Sequence, residues 1–251
     1  MIEAALALQD FAAPLLAQGF AVFLRIGGLM LLLPGLGDRM VPARVRLVTA
    51  FALTAAIAPS VPQPEAVTPG LVAVELTTGL ALGAVLRFIA QALTMAGMMA
   101  AQLTSLAQLF GGAEPSSAMG NLLNLAGLAL LMASGLPLMV IDLMIRSYDI
   151  LPMGGVLPGG DLARWGVGRA AHAFALAFAL AAPFALAALV YNAAMGVINR
   201  AMPQLMVALV GAPAITGAAG LLLFLAAPLI LSVWKAAMIA ALADPILGGL
   251  P

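Results

Sequence analysis

The amino-acid sequence predicts an all-α, multi-pass helical membrane protein with bent, broken helical hairpins. Apolar residues make up 64% of the 251-residue chain, and charged residues only 8%. A soluble domain averages about 45–50% apolar and about 25% charged residues. Because so few charges cannot form a water-facing surface, lipid or partner subunits must cover most of the exterior. We expect a single helical domain over residues 1–251.

The first half of the chain contains four apolar runs. The first, residues 11–33, is long enough to cross a bilayer, which takes about 20 residues; it ends at the breaker pair Pro34-Gly35. The second, residues 47–58, is short for a full span. The third, residues 71–86, ends at Arg87, and the fourth continues over residues 88–110.

The second half contains three further runs, separated by loops rich in glycine and proline. These runs are residues 118–145, 170–197 and 205–242. We expect a kink at Pro183 in the second run and breaks at Pro213 and Pro228 in the third. The pattern as a whole predicts roughly six to eight helices, several of them bent or short.

Several charged residues lie in or at the ends of apolar runs, where an insertion scale assigns each a cost of about 2.5–3.5 kcal/mol. They are Arg25, Glu75, Arg87, Asp142 and Lys235. Such residues can form an ion or proton path, but structural ion pairs and helix-end anchors are the favoured interpretation. Asp142 and Arg146 are four apart, so they share a helix face and can pair.

Small residues recur at helical spacing in the third run, where Gly79 and Gly83 are four apart. Because glycine has no Cβ, this spacing lets two helix backbones approach closely in a membrane. The pattern predicts packing and identifies no function.

Composition also excludes several kinds of site. Lys+Arg and Asp+Glu balance at ten each, so no basic face for nucleic acid is expected. The chain has no Cys, which excludes disulfides, thiolate metal sites and cysteine catalysis. The single histidine, His172, has no metal-ligand pattern around it. No phosphate-binding loop or catalytic set is present, so the sequence predicts neither an enzyme nor a cofactor.

Three sequence blocks, spread over nearly the whole chain, carry a family resemblance. The blocks are RIGGLMLLLP at 25–34 with VPARVR at 41–46 and IAPSVP at 57–62, LPMGG at 151–155, and NRAMPQL at 199–205 with VGAP at 210–213. In order and spacing they resemble the flagellar branch of the FliR/SctT family of type III export-gate proteins. The VPxRxR and NRxxPQ motifs are the most specific pair.

The resemblance implies a gate subunit with no active site of its own. Members of this family join FliP-like and FliQ-like subunits, with a FlhB-like subunit beside them, at the base of the flagellum in the inner membrane. Unfolded flagellar export substrates pass through that gate. The family's bent helical hairpins assemble with these partners, and membrane lipid covers what the partners leave exposed.

The resemblance also implies a role for one loop. The family usually carries Asp-Pro in a loop associated with plugging the channel; this chain departs from that pattern with Gly111, Gly112, Glu114 and Pro115. An ordinary surface loop over residues 111–117 is the alternative. The residues expected to serve assembly or structure are Arg25, Arg44, Arg46, Glu75, Asn199, Arg200, Pro203 and Gln204.

Two alternative functions fit parts of the pattern. A secondary transporter of a small solute also uses broken helices with interior polar residues, although the two halves of this chain show no repeat. An injectisome homologue of the same gate subunit would share the fold. The three blocks are closest to the flagellar branch.

Overall fold

The structure, a computed structural model, describes the backbone of residues 2–38, 41–104, 115–155, 158–201 and 207–244, and the side chains of 12–38, 41–104, 119–155, 158–201 and 217–244. Over these ranges the chain forms seven α-helices and no strand. They are α1 (Ile2–Leu32), α2 (Ala43–Ile57), α3 (Pro69–Leu103), α4 (Pro115–Ala133), α5 (Leu136–Ile150), α6 (Gly159–Ala201) and α7 (Val207–Ala243). The predicted all-α class is confirmed.

Four helices are long and apolar enough to cross a membrane, and their spans are Ala12–Leu32, Pro69–Leu103, Gly159–Ala201 and Gly217–Ala243. A fifth is added if the bent pair Met119–Ala133 and Leu136–Ile150 counts as one broken span. Helix α2, with 15 residues, is too short for a full crossing, as its apolar run predicted.

Contacts divide the chain into two compact units. The first comprises Met1–Phe88, Met132–Arg169 and Ile239–Pro251, and the second comprises Ile89–Leu131 and Ala170–Met238. The single domain expected over residues 1–251 stays a prediction.

Helix α1 ends at the predicted breaker pair. The backbone N–H of Gly37 donates to the Leu33 carbonyl, and Gly35 takes a positive φ of 84° that glycine adopts without strain. The carboxylate of Asp38 accepts the Gly35 N–H at 3.0 Å and also pairs with Arg87 of α3. The Pro-Gly signal therefore marks the end of this helix correctly.

The helix boundaries predicted in three stretches of the chain were wrong. The runs at 71–86 and 88–110 share one continuous helix, α3, because Arg87 keeps 38% of its side chain exposed and pairs with Asp38 instead of ending the helix. The run at 118–145 is split at Gly135, whose φ is +88°, and the two helices are bent by 75° there. Helix α7 continues through both Pro213 and Pro228.

Glycines bring α1 and α3 together in the first unit. A Cβ added at Gly79 would lie 2.0 Å from the Arg25 carbonyl oxygen, and one at Gly83 would lie 2.8 Å from that of Leu29. On the α1 side, a Cβ at Gly28 would meet the Leu76 carbonyl oxygen at 2.6 Å. The small-residue pattern therefore predicted this close approach correctly.

The second unit packs around Trp234 of α7. Its indole Nε1 donates to the Ile89 carbonyl of α3 at 2.8 Å, and the side chain is fully buried. The ring lies against Gly127 of α4, where an added Cβ would meet it at 3.0 Å. A large aromatic ring thus fills the space that glycine leaves open.

Candidate functional site

The main polar site of the first unit is a buried ion pair between α1 and α3. Arg25 Nε donates to Glu75 Oε2 at 2.7 Å, and Arg25 Nη2 donates to Glu75 Oε1 at 3.1 Å. Neither side chain has any exposed surface. Two parallel N–H···O bonds between a guanidinium and a carboxylate form a geometry that offsets part of the desolvation penalty of burial.

Helix α5 supplies a second layer of contacts. Ser147 Oγ accepts from Arg25 Nη1 at 3.1 Å, and the Tyr148 hydroxyl donates to Glu75 Oε2 at 3.3 Å. The guanidinium carbon Cζ of Arg25 lies 3.6 Å from the centre of the Tyr148 ring, which is within cation–π range. The ion pair is thus enclosed by a third helix.

The loop after α5 completes the network through its backbone. The Leu151 carbonyl accepts from Arg25 Nη2 at 3.0 Å, and the Gly154 N–H donates to Glu75 Oε1 at 3.0 Å. Gly154 has a φ of +74°, which L side chains rarely adopt. All three guanidinium nitrogens therefore have acceptors, and the network joins α1, α3, α5 and the loop at 151–155.

Two of the three sequence blocks meet at this network. Arg25 opens the first block, and Leu151 and Gly154 belong to the second, LPMGG. In the third block, Asn199 and Arg200 are exposed near the end of α6 in the second unit. The other two residues named from that block, Pro203 and Gln204, lie outside the described residues.

The remaining predicted residues lie apart from the ion pair. Arg44 is exposed and Arg46 is partly buried, both near the start of α2. The plug-loop residues Gly111, Gly112 and Glu114 lie outside the described residues. Pro115 is the first residue of α4, so residues 115–117 belong to a helix and not to the predicted loop, and the plug role stays a prediction. Proline suits that position, since its fixed φ is helical and the missing N–H has no helical partner there.

The other charged residues of the apolar runs lie in different environments. Asp142 and Arg146 pair at 3.0 Å on an exposed face of α5, as predicted. Lys235 forms no ion pair with any residue that the structure describes. The same described ranges contain no group of three or more His, Asp or Glu residues that could hold a metal ion.

Ser147, Tyr148 and Gly154 were not predicted as members of this site. Each is an unremarkable residue in the sequence, and its role depends on a contact with a residue more than 70 positions away. The one local signal was the LPMGG block, in which a glycine follows the end of an apolar run. A buried Arg and a buried Glu in separate runs also indicate that further polar partners are needed.

Comparison with known proteins gives one consistent family. The sequence profile described as "Bacterial export proteins, family 1" matches residues 16–241. The chain is 34% identical to the flagellar biosynthetic protein FliR of Caulobacter vibrioides over 204 residues, which cover 76% of this chain and 81% of that protein.

Two further relatives carry the same name. The FliR protein of Escherichia coli is 30% identical over 206 residues, covering 77% of this chain and 78% of its own length. The FliR protein of Aquifex aeolicus is 28% identical over 235 residues, covering 88% of each chain. The profile match at residues 16–241 extends over both units of the fold and spans Arg25 and Glu75. This chain is therefore a member of the bacterial export proteins, family 1.

Proposed function

We propose that this chain acts in flagellar export, as a structural, channel-forming subunit of the flagellar type III protein export gate. Family membership supports protein export over the secondary transport of a small solute. The three relatives are all named as flagellar biosynthetic proteins, which supports the flagellar system over an injectisome. The role is structural, and no chemical step is assigned to any residue.

The observation that carries this proposal is the amount of apolar helix surface that the chain leaves uncovered. In the most apolar segment of α7, only 17% is buried within the chain. The corresponding share for α6 is 33%. Large side chains such as Phe224, 78% exposed, and Val190, 70% exposed, lie on these helices. Large apolar side chains exposed in such number along a helix mark contact with lipid or with protein partners.

The proposed partners follow from the family resemblance. FliP-like and FliQ-like subunits, with a FlhB-like subunit beside them, would cover part of α6 and α7, and membrane lipid would cover the rest. Unfolded flagellar export substrates would pass through the assembled gate. The location would be the inner membrane at the flagellar basal body.

A gene deletion tests the flagellar role directly. Cells that lack the chain should form no filaments and should not swim, yet should grow at the normal rate. Supplying the gene on a plasmid should restore filaments. Filaments on the deletion strain, in the absence of a second copy of the gene, would contradict the proposal.

A variant of the uncovered surface tests the role as a subunit. Phe224→Arg places a charge on the exposed face of α7, so it should reduce co-purification with the FliP-like and FliQ-like subunits and abolish swimming. Arg146→Ala changes an exposed ion pair instead and should leave both unchanged. Full assembly and normal swimming with Phe224→Arg would show that this face contacts no partner.

A further inference from the structure

Helices α1 and α2 of the first unit leave an open apolar groove between them. It consists of two adjoining cavities of about 470 Å³ and about 260 Å³. Phe23 lines both cavities and stacks on Phe51 with ring centres 4.8 Å apart. The larger cavity is lined by apolar residues except for Thr54, whose hydroxyl donates to the Ala50 carbonyl within its own helix. The walls therefore offer almost no polar group to an occupant.

One end of the groove carries positive charge. Arg46 lines the smaller cavity, and its Nε is buried with no hydrogen-bond partner in the described part of the chain. Arg44 is exposed two residues earlier, and the first turn of α2 contains no acidic residue. Asp38, which precedes the helix, is engaged by Arg87. A buried donor of this kind is costly to leave unpaired, so an anionic acceptor at this end would be stabilising.

The dimensions of the groove fit a lipid. Helix α2 has 15 residues, and at about 1.5 Å per residue it is about 22 Å long. One leaflet of hydrocarbon is about 15 Å deep, half of a core of about 30 Å. The apolar walls would leave a polar side chain of a partner helix unpaired, whereas a hydrocarbon chain has no polar group to satisfy.

We propose that the α1–α2 groove binds an anionic phospholipid. The phosphate lies against Arg46, with Arg44 beside it, and one acyl chain runs along the groove past Phe23. Clustered arginines near a membrane surface attract anionic lipid in the same way. This inference does not depend on the export role, because it concerns only the first unit and its own lipid.

Lipid titration of the purified chain tests whether the groove prefers a lipid with an anionic headgroup. Native mass spectrometry in detergent would compare phosphatidylglycerol with phosphatidylcholine of the same acyl chains. Both lipids carry a phosphate, but the choline cation of phosphatidylcholine offsets its charge, so the chain should bind phosphatidylglycerol about tenfold more tightly. Arg46→Gln should reduce the affinity for phosphatidylglycerol to that for phosphatidylcholine.

Two glycines in the wall of the groove have room for a side chain. Gly27 lines the smaller cavity and Gly19 the larger, and an added Cβ at either would meet no atom within 4 Å. Gly27→Leu and Gly19→Leu should each reduce phosphatidylglycerol binding by about tenfold or more. Gly168→Leu, on α6, is the matched control, since its added Cβ also meets nothing, and it should bind normally.

Three results would overturn the proposal. The first is equal affinity of the unmodified chain for the two lipids. The second is unchanged phosphatidylglycerol binding by Gly27→Leu in a sample whose thermal unfolding matches that of the Gly168→Leu control. The third is a Gly27→Leu variant that keeps its lipid but no longer co-purifies with the FliP-like and FliQ-like subunits, because the groove would then be a protein interface.

Discussion

Arg25 and Glu75 form a fully buried, doubly hydrogen-bonded ion pair that joins the first and third helices of this chain. The two residues are 50 positions apart, and the loop at 151–155 binds both of them through its backbone. The pair therefore fixes the position of a loop as well as of two helices. Its strength should be measurable by removing one charge at a time.

Removing one member of the pair should be far more damaging than removing both. Glu75→Gln leaves a buried guanidinium without its counter-charge and should cost about 3–5 kcal/mol of stability. Arg25→Met leaves a buried carboxylate without its counter-charge and should cost a similar amount. The double variant Arg25→Met with Glu75→Leu should recover most of this loss, because no buried charge remains. Thermal unfolding in detergent would measure the three variants.

The exposed pair of α5 provides the control. Asp142→Ala should change stability by less than about 1 kcal/mol, because both partners of that pair are more than half exposed. If Glu75→Gln is no more damaging than Asp142→Ala, the buried pair does not stabilise the first unit.

Adjacent glycines in α1 should respond in opposite ways to the same substitution. A Cβ at Gly28 would lie 2.6 Å from the Leu76 carbonyl oxygen, so Gly28→Ala should separate α1 from α3 and destabilise the chain by about 1–3 kcal/mol. At Gly27 nothing lies within 4 Å, so Gly27→Ala should be neutral or stabilising by up to about 1 kcal/mol. Unfolding temperatures that fall equally in the two variants would disprove the close contact.

Substituting each of the two tryptophans of the chain should change its stability by a different amount. Trp234→Phe removes a buried 2.8 Å hydrogen bond to Ile89 and leaves a gap beside Gly127, so it should destabilise the protein by about 1–3 kcal/mol. The indole N–H of Trp165 is buried with no partner among the described residues, so Trp165→Phe removes a donor that is not used there. The measurement is thermal unfolding, and an equal loss in both variants would argue against the Trp234 hydrogen bond.

The segment of residues 111–117, which includes the first residues of α4, is predicted to seal the channel. Deleting residues 112–116 should leave co-purification with the FliP-like and FliQ-like subunits intact but make cells that overproduce the gate permeable to small dyes. The prediction rests on the sequence, in which two glycines carry no Cβ and a proline disfavours the helical conformation of the residue before it. Equal dye uptake from equal amounts of assembled gate, with and without the deletion, would mean that this segment does not seal the channel.

Much of the helical architecture was predictable because long apolar runs have few other stable forms in a membrane. The errors lie where a local signal competes with tertiary contacts. Arg87 resembled a helix end, but its ion pair with Asp38 allows α3 to continue. Ser134-Gly135 was overlooked inside an apolar run, and only the positive φ of Gly135 reveals the break.

The candidate site was predictable only in part. Arg25 and Glu75 stood out because charges are rare in apolar helices. The sequence did not indicate that these two residues contact each other, because Arg87 and Lys235 were equally possible partners for Glu75. The partners Tyr148 and Gly154 contribute a ring face and a backbone N–H. Neither of these features is marked by residue type.

The buried ion pair also has a consequence for the order of events during biosynthesis. Arg25 is translated 50 residues before Glu75 and 126 residues before Leu151, so the nascent chain holds the cation long before its acceptors exist. A lone arginine at the centre of an inserting helix is disfavoured by about 2.5–3.5 kcal/mol. Pairing of α1 with α3 inside the insertion machinery would cancel most of that penalty. The first and third helices should therefore leave the translocon together, with α5 and the 151–155 loop closing over them afterwards.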